Sequence, residues 1–242
     1  MIHLWKILIY QPIYNLLILF VDFFYQHSMF LSVISLTILV RLIIYPLSYK
    51  SVKTQLGMKK IQPEIEKIKK EIEDKQEQAK KTMELYKKSG INPFSSFLVM
   101  LIQIPIILAL YWVLMDLSKH GVDHSLLYYF ISKPEQINMR TFGIDLTQKS
   151  IILAVLTGIS QFIYLKISAS FKKVEKKEKK SKTREDLMQS MQESMKYTMP
   201  IMISFFSYIV GGAVALYWFI SNLFMLFQEI YIQKKIAKRE EI

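Results

Sequence analysis

The chain has 242 residues, 52% of them apolar, yet it carries 32 Lys+Arg against 20 Asp+Glu. It has no cysteine, which excludes disulfides, thiolate metal sites and thiol nucleophiles. Apolar and charged residues are segregated: 29–49, 94–115, 150–168 and 199–232 are almost free of charge, whereas 50–90 and 172–196 are crowded with it. Apolar blocks of about 20 residues read as bilayer spans, so an all-α membrane protein is expected.

Residues 1–27 form the first segment. Stretch 4–25 is apolar and aromatic but interrupted by Lys6, Gln11, Pro12, Asn15 and Asp22. No small-residue cleavage site follows it, so a removed signal is not expected. Only Gln26, His27 and Ser28 separate it from the next apolar run, which leaves little room for a reversal between two spans. An amphipathic helix lying in the membrane interface is expected, with Trp5, Tyr10 and Tyr14 at headgroup depth. A sixth span is the alternative.

Transmembrane helix 1 is expected over 28–49. Residues 50–93 follow as a cytoplasmic helical hairpin: Pro63 suits a first helical turn, 64–88 is rich in Glu, Lys, Gln and Ala, and a reversal falls near Asp74–Gln76. A solvated charged linker is the competing reading. Gly90 and Asn92-Pro93 stop the hairpin before transmembrane helix 2, over 94–117. An extracytoplasmic loop, 118–148, leads to transmembrane helix 3, 149–168. His120 and His124 are four apart there, but in a loop with Gly and Asp, and no metal or cofactor site is expected. A basic cytoplasmic loop occupies 169–196, its part 172–184 of low complexity and expected to be disordered near anionic lipid headgroups. Transmembrane helices 4 (197–210) and 5 (213–232) meet at Gly211-Gly212, and a short basic cytoplasmic tail, 233–242, ends the chain.

Charge sets this order. Loop 50–93 holds 12 Lys/Arg, loop 169–196 holds 9 and tail 233–242 holds 4, whereas loop 118–149 holds 4. Positive residues in short loops stay in the cytoplasm. The tail shares a side with loop 169–196 only if 199–232 crosses twice. The N-terminus is then outside and the C-terminus cytoplasmic.

Arg41 is the anomaly. It lies eight residues before Tyr49, about 12 Å inside the expected cytoplasmic end. A central Arg costs about 2.5–3.5 kcal/mol on insertion, against roughly 4–7 kcal/mol from the Leu, Ile, Val and Phe residues of the same span. The span inserts with a thin margin. One reading is snorkelling of the guanidinium to the headgroups; the other is a face on a water-filled cavity. Polar stripes favour the second. Thr37, Arg41, Tyr45 and Ser48 line one helix face, and Ser96 and Gln103 another. Thr157, Ser160, Gln161, Tyr164 and Ser168 line a third. Ser204, Ser207 and Tyr208 lie together on the fourth span, and Tyr217, Ser221 and Gln228 on the fifth, with Asn222 beside them. Asp116 and Glu229 stand near span ends, so no deep carboxylate is expected to pair with Arg41. A cation without an internal partner favours an anionic visitor. Neither a nucleophile–base pair nor paired carboxylates stand in a span, so binding is expected and catalysis is not.

The chain resembles the YidC/Oxa/Alb family of membrane-protein insertases over about residues 5–235. The resemblance rests on Arg41-Leu-Ile-Ile-Tyr45-Pro46-Leu47, on Met58, Gln62-Pro63 and Leu85-Tyr86, and on Gly90-Ile-Asn92-Pro93. It continues through Leu101-Ile102-Gln103-Ile104-Pro105-Ile106, Gly158-Ile-Ser160-Gln161-Phe162, Met199-Pro200 and Leu216-Tyr217-Trp218, followed by Ser221-Asn222. It implies five transmembrane helices enclosing a hydrophilic groove that draws in the short hydrophilic segment of a nascent membrane protein. Thr37, Arg41, Gln103, Ser221 and Asn222 match the groove. The implied partners are nascent membrane proteins, the Sec translocon, the ribosome and anionic lipids, with no direct nucleic-acid binding. The implied location is a bacterial plasma membrane, since no Arg/Ser-rich transit peptide is present. Two departures stand out: no large extracytoplasmic domain precedes the first full span, and the tail is short for tethering a ribosome. Rival classes are a transporter or anion channel, for which no repeated halves are found, an assembly chaperone, which would share every feature, and a membrane enzyme, which lacks a residue set.

Overall fold

The computed structural model describes residues 2–168 and 184–240. Helix α1 (Ile2–Trp5) runs through a π-helical turn, Lys6–Tyr10, into α2 (Gln11–Phe23). The wide turn ends just before Pro12, whose missing N–H and bulky ring disfavour an ordinary α register there. A tight turn, Tyr25–His27, then reverses the chain, with Gln26 and His27 at φ of 59° and 48°. Ser28 caps the next helix by accepting from the Leu31 amide at 3.4 Å.

That helix, α3 (Met29–Lys60), continues through Pro46 well beyond the expected span end. Its 32 residues are about 48 Å long, so its C-terminal third projects past a hydrocarbon core of roughly 30 Å. Helices α4 (Gln62–Glu71) and α5 (Lys75–Lys88) follow as the expected hairpin. Asp74 caps α5 by accepting from the Gln76 amide (3.0 Å), and Gln78 donates back to the carbonyls of Ile72 and Lys69. Ile65 is buried, whereas α5 buries nothing, so the hairpin is held at its base only.

Helix α6 (Phe94–His120) returns along α3. The loop beyond it carries a two-stranded hairpin, β1 (Arg140–Thr141) and β2 (Ile144–Asp145), tied to the start of α3 where the Met29 amide donates to Asn138 (3.0 Å). Helix α7 (Ile151–Ile167) packs against both α8 (Arg184–Val210) and α9 (Gly212–Glu240). Residues 184–196, expected as loop, are therefore helical; Leu, Met, Gln and Glu, all good helix formers, dominate them. Residues 169–183, where the low-complexity segment was expected to be disordered, lie outside the described residues.

Four described helices are long and apolar enough to cross a membrane: His3–Phe23, Met29–Lys60, Leu101–His120 and Gly212–Lys238. The shorter α7, at 17 residues, is about 25 Å long. The apolar part of α8 is shorter still. The core joins Leu17, Ile18 and Val21 of α2, Val33 and Leu36 of α3, Leu110 and Val113 of α6, and Ala215 and Leu216 of α9. Leu42, Ile43, Ile104, Ile159 and Phe205 are exposed, as lipid-facing side chains would be.

Two glycines allow close approaches. At the α8–α9 turn, Gly211 has φ +117°, and the Gly212 amide donates to the Gln148 carbonyl at 2.8 Å. The first amides of a helix lack partners within it, and the loop before α7 supplies them here. At Gly158 of α7, an added Cβ would stand 2.9 Å from the Cβ of Ser204 on α8. Ser204 also donates to the Ala154 carbonyl at 2.8 Å, closing the same crossing. Gly158→Val should therefore cost about 1–3 kcal/mol through overpacking. A clearly lowered thermal unfolding midpoint in detergent is expected, with Gly158→Ala intermediate; an unchanged midpoint would contradict the contact.

Candidate functional site: a buried polar seam around Arg41

Thr37 and Arg41 stand one helical turn apart on α3, on the side that packs against α9. Thr37 satisfies itself, donating to the Val33 carbonyl at 2.6 Å. Arg41 does not. It is only 3% exposed, its Nε has no hydrogen-bond partner, and no carboxylate among the described residues pairs with it. Its electrostatic neighbours are two phenols, Tyr217 of α9 and Tyr164 of α7. A guanidinium in this setting retains a desolvation cost of several kcal/mol.

From α6, Gln103 donates to the Tyr217 hydroxyl at 2.7 Å. Tyr217 thus ties α6 to α9, with Arg41 of α3 close enough to feel its phenol. Thr157 of α7 donates to its own Leu153 carbonyl (2.8 Å) and to Ala215 of α9 (3.0 Å). Asn222 turns the same way, with its amide on Ser160 Oγ (3.1 Å) and the Thr157 carbonyl (3.4 Å). Ser221 is fully buried and its hydroxyl has no partner. About two turns further along α9, both polar atoms of buried Gln228 are likewise unpartnered.

Of the five residues singled out from sequence, Arg41 and Gln103 converge on Tyr217. Ser221 lies one turn below Tyr217 on the same helix. Thr37 and Asn222 are buried, Thr37 bonded to Val33 of its own helix and Asn222 bonded across to α7. Tyr217 and Tyr164 were visible only as members of polar stripes, because a tyrosine on a span reads equally well as packing. Ser204 faces α7 and Ser207 bonds back to the Ser204 carbonyl within α8, but Tyr208 does not join them. Its ring leans outward to Lys149, 5.7 Å from the ammonium. Glu229 is buried on α9, and Gln233 of the same helix donates to its carboxylate at 2.7 Å. The seam as a whole is closed around Arg41 in this structure.

A family model described as the 60Kd inner membrane protein matches residues 20–239. The chain belongs to this family. It is similar to the membrane protein insertase YidC of Fusobacterium nucleatum subsp. nucleatum, with 33% identity over 235 residues, 93% of this chain and 98% of that protein. It is also similar to the YidC insertase of Oceanobacillus iheyensis, at 31% identity over 87% of this chain and 76% of the relative. A longer relative, the YidC insertase of Vesicomyosocius okutanii, is 31% identical over 87% of this chain, which spans only 34% of it. The 60Kd family members matched here are bacterial, and this chain is a multi-pass bacterial membrane protein of the same kind.

A buried charge without a counter-ion is a liability for folding alone. Arg41→Met keeps the length and removes the charge, so it should stabilise the bundle, by about 1–3 kcal/mol. A raised unfolding midpoint in detergent is the expected result. A fall of similar size would mean that Arg41 serves the fold.

Proposed function

We propose that the chain is a membrane protein insertase that inserts, and helps to fold, nascent integral membrane proteins. The observation that carries this is Arg41, a buried cation with no acidic partner among the described residues, set in a polar seam in a member of an insertase family. A substrate carboxylate entering the seam would offset the desolvation already incurred by the guanidinium. Ser221, with an unpartnered hydroxyl, and Gln103, half-buried, would meet the polar backbone around that carboxylate, beside Thr37 and Asn222. For this the closed seam must part between helices and become a hydrophilic groove. Substrate enters from the side of the α4–α5 hairpin, and its apolar segment leaves along exposed faces such as Leu42 and Ile43 of α3. The chemistry is binding and release, with no covalent step.

The remaining assignments follow the same reading. The basic segments 50–93, 169–196 and 233–242 face the cytoplasm, with the N-terminus outside. Residues 28–49, 94–117, 149–168, 197–210 and 213–232 cross the membrane. The N-terminal helix lies in the outer interface. Its polar bonds support this: Tyr10 donates to Asp116, Gln11 and Asn15 donate to the Leu126 carbonyl, and Tyr14 accepts from the Asp123 amide. A helix descending beside α6 would spread such contacts over about 30 Å, whereas these all cluster at one end of α6. The partners are nascent membrane proteins, the Sec translocon, the ribosome and anionic lipids.

Purified protein in liposomes should insert a single-span substrate with a short acidic tail far better than protein-free liposomes do. Arg41→Ala should reduce that insertion by roughly 10–100-fold, the equivalent of one charge-assisted hydrogen bond of about 1.5–3 kcal/mol. Arg41→Lys should retain most of it, because a point charge suffices. Insertion no better than in empty liposomes would refute the function. Equal loss in Ala and Lys variants would refute the point-charge role.

A further inference from the structure

We propose that the β1–β2 hairpin is a lipid anchor, with Phe142 at its tip seated in the headgroup–acyl boundary of the adjoining leaflet. Strands β1 and β2 pair Thr141 with Ile144, leaving Phe142-Gly143 as a two-residue turn. Both turn residues have positive φ, 54° for Phe142 and 76° for Gly143. Such turns favour Asn-Gly or Asp-Gly, because a large side chain at the first position is strained. A phenylalanine there works against the turn, and its ring does not compensate by burial. Phe142 is 83% exposed. Strain held at an exposed aromatic tip points to a surface outside the protein.

Position says which surface. Ser28, the cap of α3, bridges to Asn138, and its hydroxyl lies 3.2 Å from that of Thr141, so the hairpin is strapped to the first turn of a membrane-crossing helix. The Phe142 ring meets Phe30 edge to face, 5.7 Å between centroids. The next residue, Leu31, begins an exposed apolar stripe that continues through Ile38 and Leu42 down α3. Phe142 is therefore continuous with the lipid-facing surface, at the level where α3 leaves the bilayer. Exposed Arg140 stands at the base of the same hairpin, placed to meet lipid phosphates. An exposed ring at a hairpin tip, with a cation behind it and a lipid-facing stripe beside it, matches a planar lipid interface.

The chain has no cysteine, so Phe142→Cys takes one spin label. In liposomes, collisions of that label with oxygen should outweigh collisions with a water-soluble nickel chelate. Lys133→Cys, exposed on the same loop, should show the reverse. Nickel-dominated relaxation at position 142, or protection from both reagents as against a second protein, overturns the proposal. A second label at Leu31→Cys reads the depth of α3 itself. Adding Phe142→Asn, which suits the turn but not the lipid, should move that label toward the surface; an unchanged depth also overturns the anchor.

Discussion

A guanidinium taken from water into the middle of a helical bundle costs several kcal/mol, and the rest of this structure is organised around one that has no internal repayment. Arg41 has two phenols near it, Tyr217 and Tyr164, the first also bonded by the Gln103 amide, which soften the field without neutralising it. An ion pair with a resident carboxylate would have been cheaper, and it would also have blocked the site. Among the described residues, a buried carboxylate, Glu229, is held further along α9 by Gln233. Separating the two charges leaves the positive one available to a ligand. This is the arrangement a binding device needs if its ligand is itself a poorly hydrated, passing carboxylate.

The fold keeps that charge in place with unusually little room. Tyr217 fixes α6 against α9 through Gln103, and Thr157 reaches from α7 to the backbone of α9. At Gly158 helix α7 comes close to Ser204 of α8, and at Gly212 the last helix is seated on the loop before α7.

Much of this was legible in the sequence, for physical reasons that differ by element. Arg41 stood out because a charge inside an apolar run opposes insertion and must be offset by the residues around it. The α4–α5 reversal was marked by Asp74, a residue whose side chain caps helices, and the last hairpin by two adjacent glycines. Gln103 was visible as an amide in lipid. The central role of Tyr217 was not, because tyrosine serves packing and polar roles alike and only its partners distinguish them. The partners of Thr37 and Asn222 were not legible either, since spacing gives a face but not a rotamer: Thr37 bonds back to Val33 of its own helix, and Asn222 reaches across to Ser160 and Thr157 of α7. The helical start of α8 at Arg184 was hidden by its charge, which in sequence resembles any solvated loop. Phe142 was hidden by being a turn residue of the wrong kind: no pattern of turn formers contains it.

The central claim is that Arg41 receives a substrate carboxylate. A double-mutant cycle tests it most directly, pairing Arg41→Gln with neutralisation of the acidic residue in the substrate's translocated tail and measuring insertion in proteoliposomes for all four combinations. Direct pairing predicts that either change alone impairs insertion and that the second adds little once the first is made, a coupling of about 1 kcal/mol or more. Independent, additive effects would contradict it, and Arg41 would then act on the bundle or the bilayer and not on the substrate's charge.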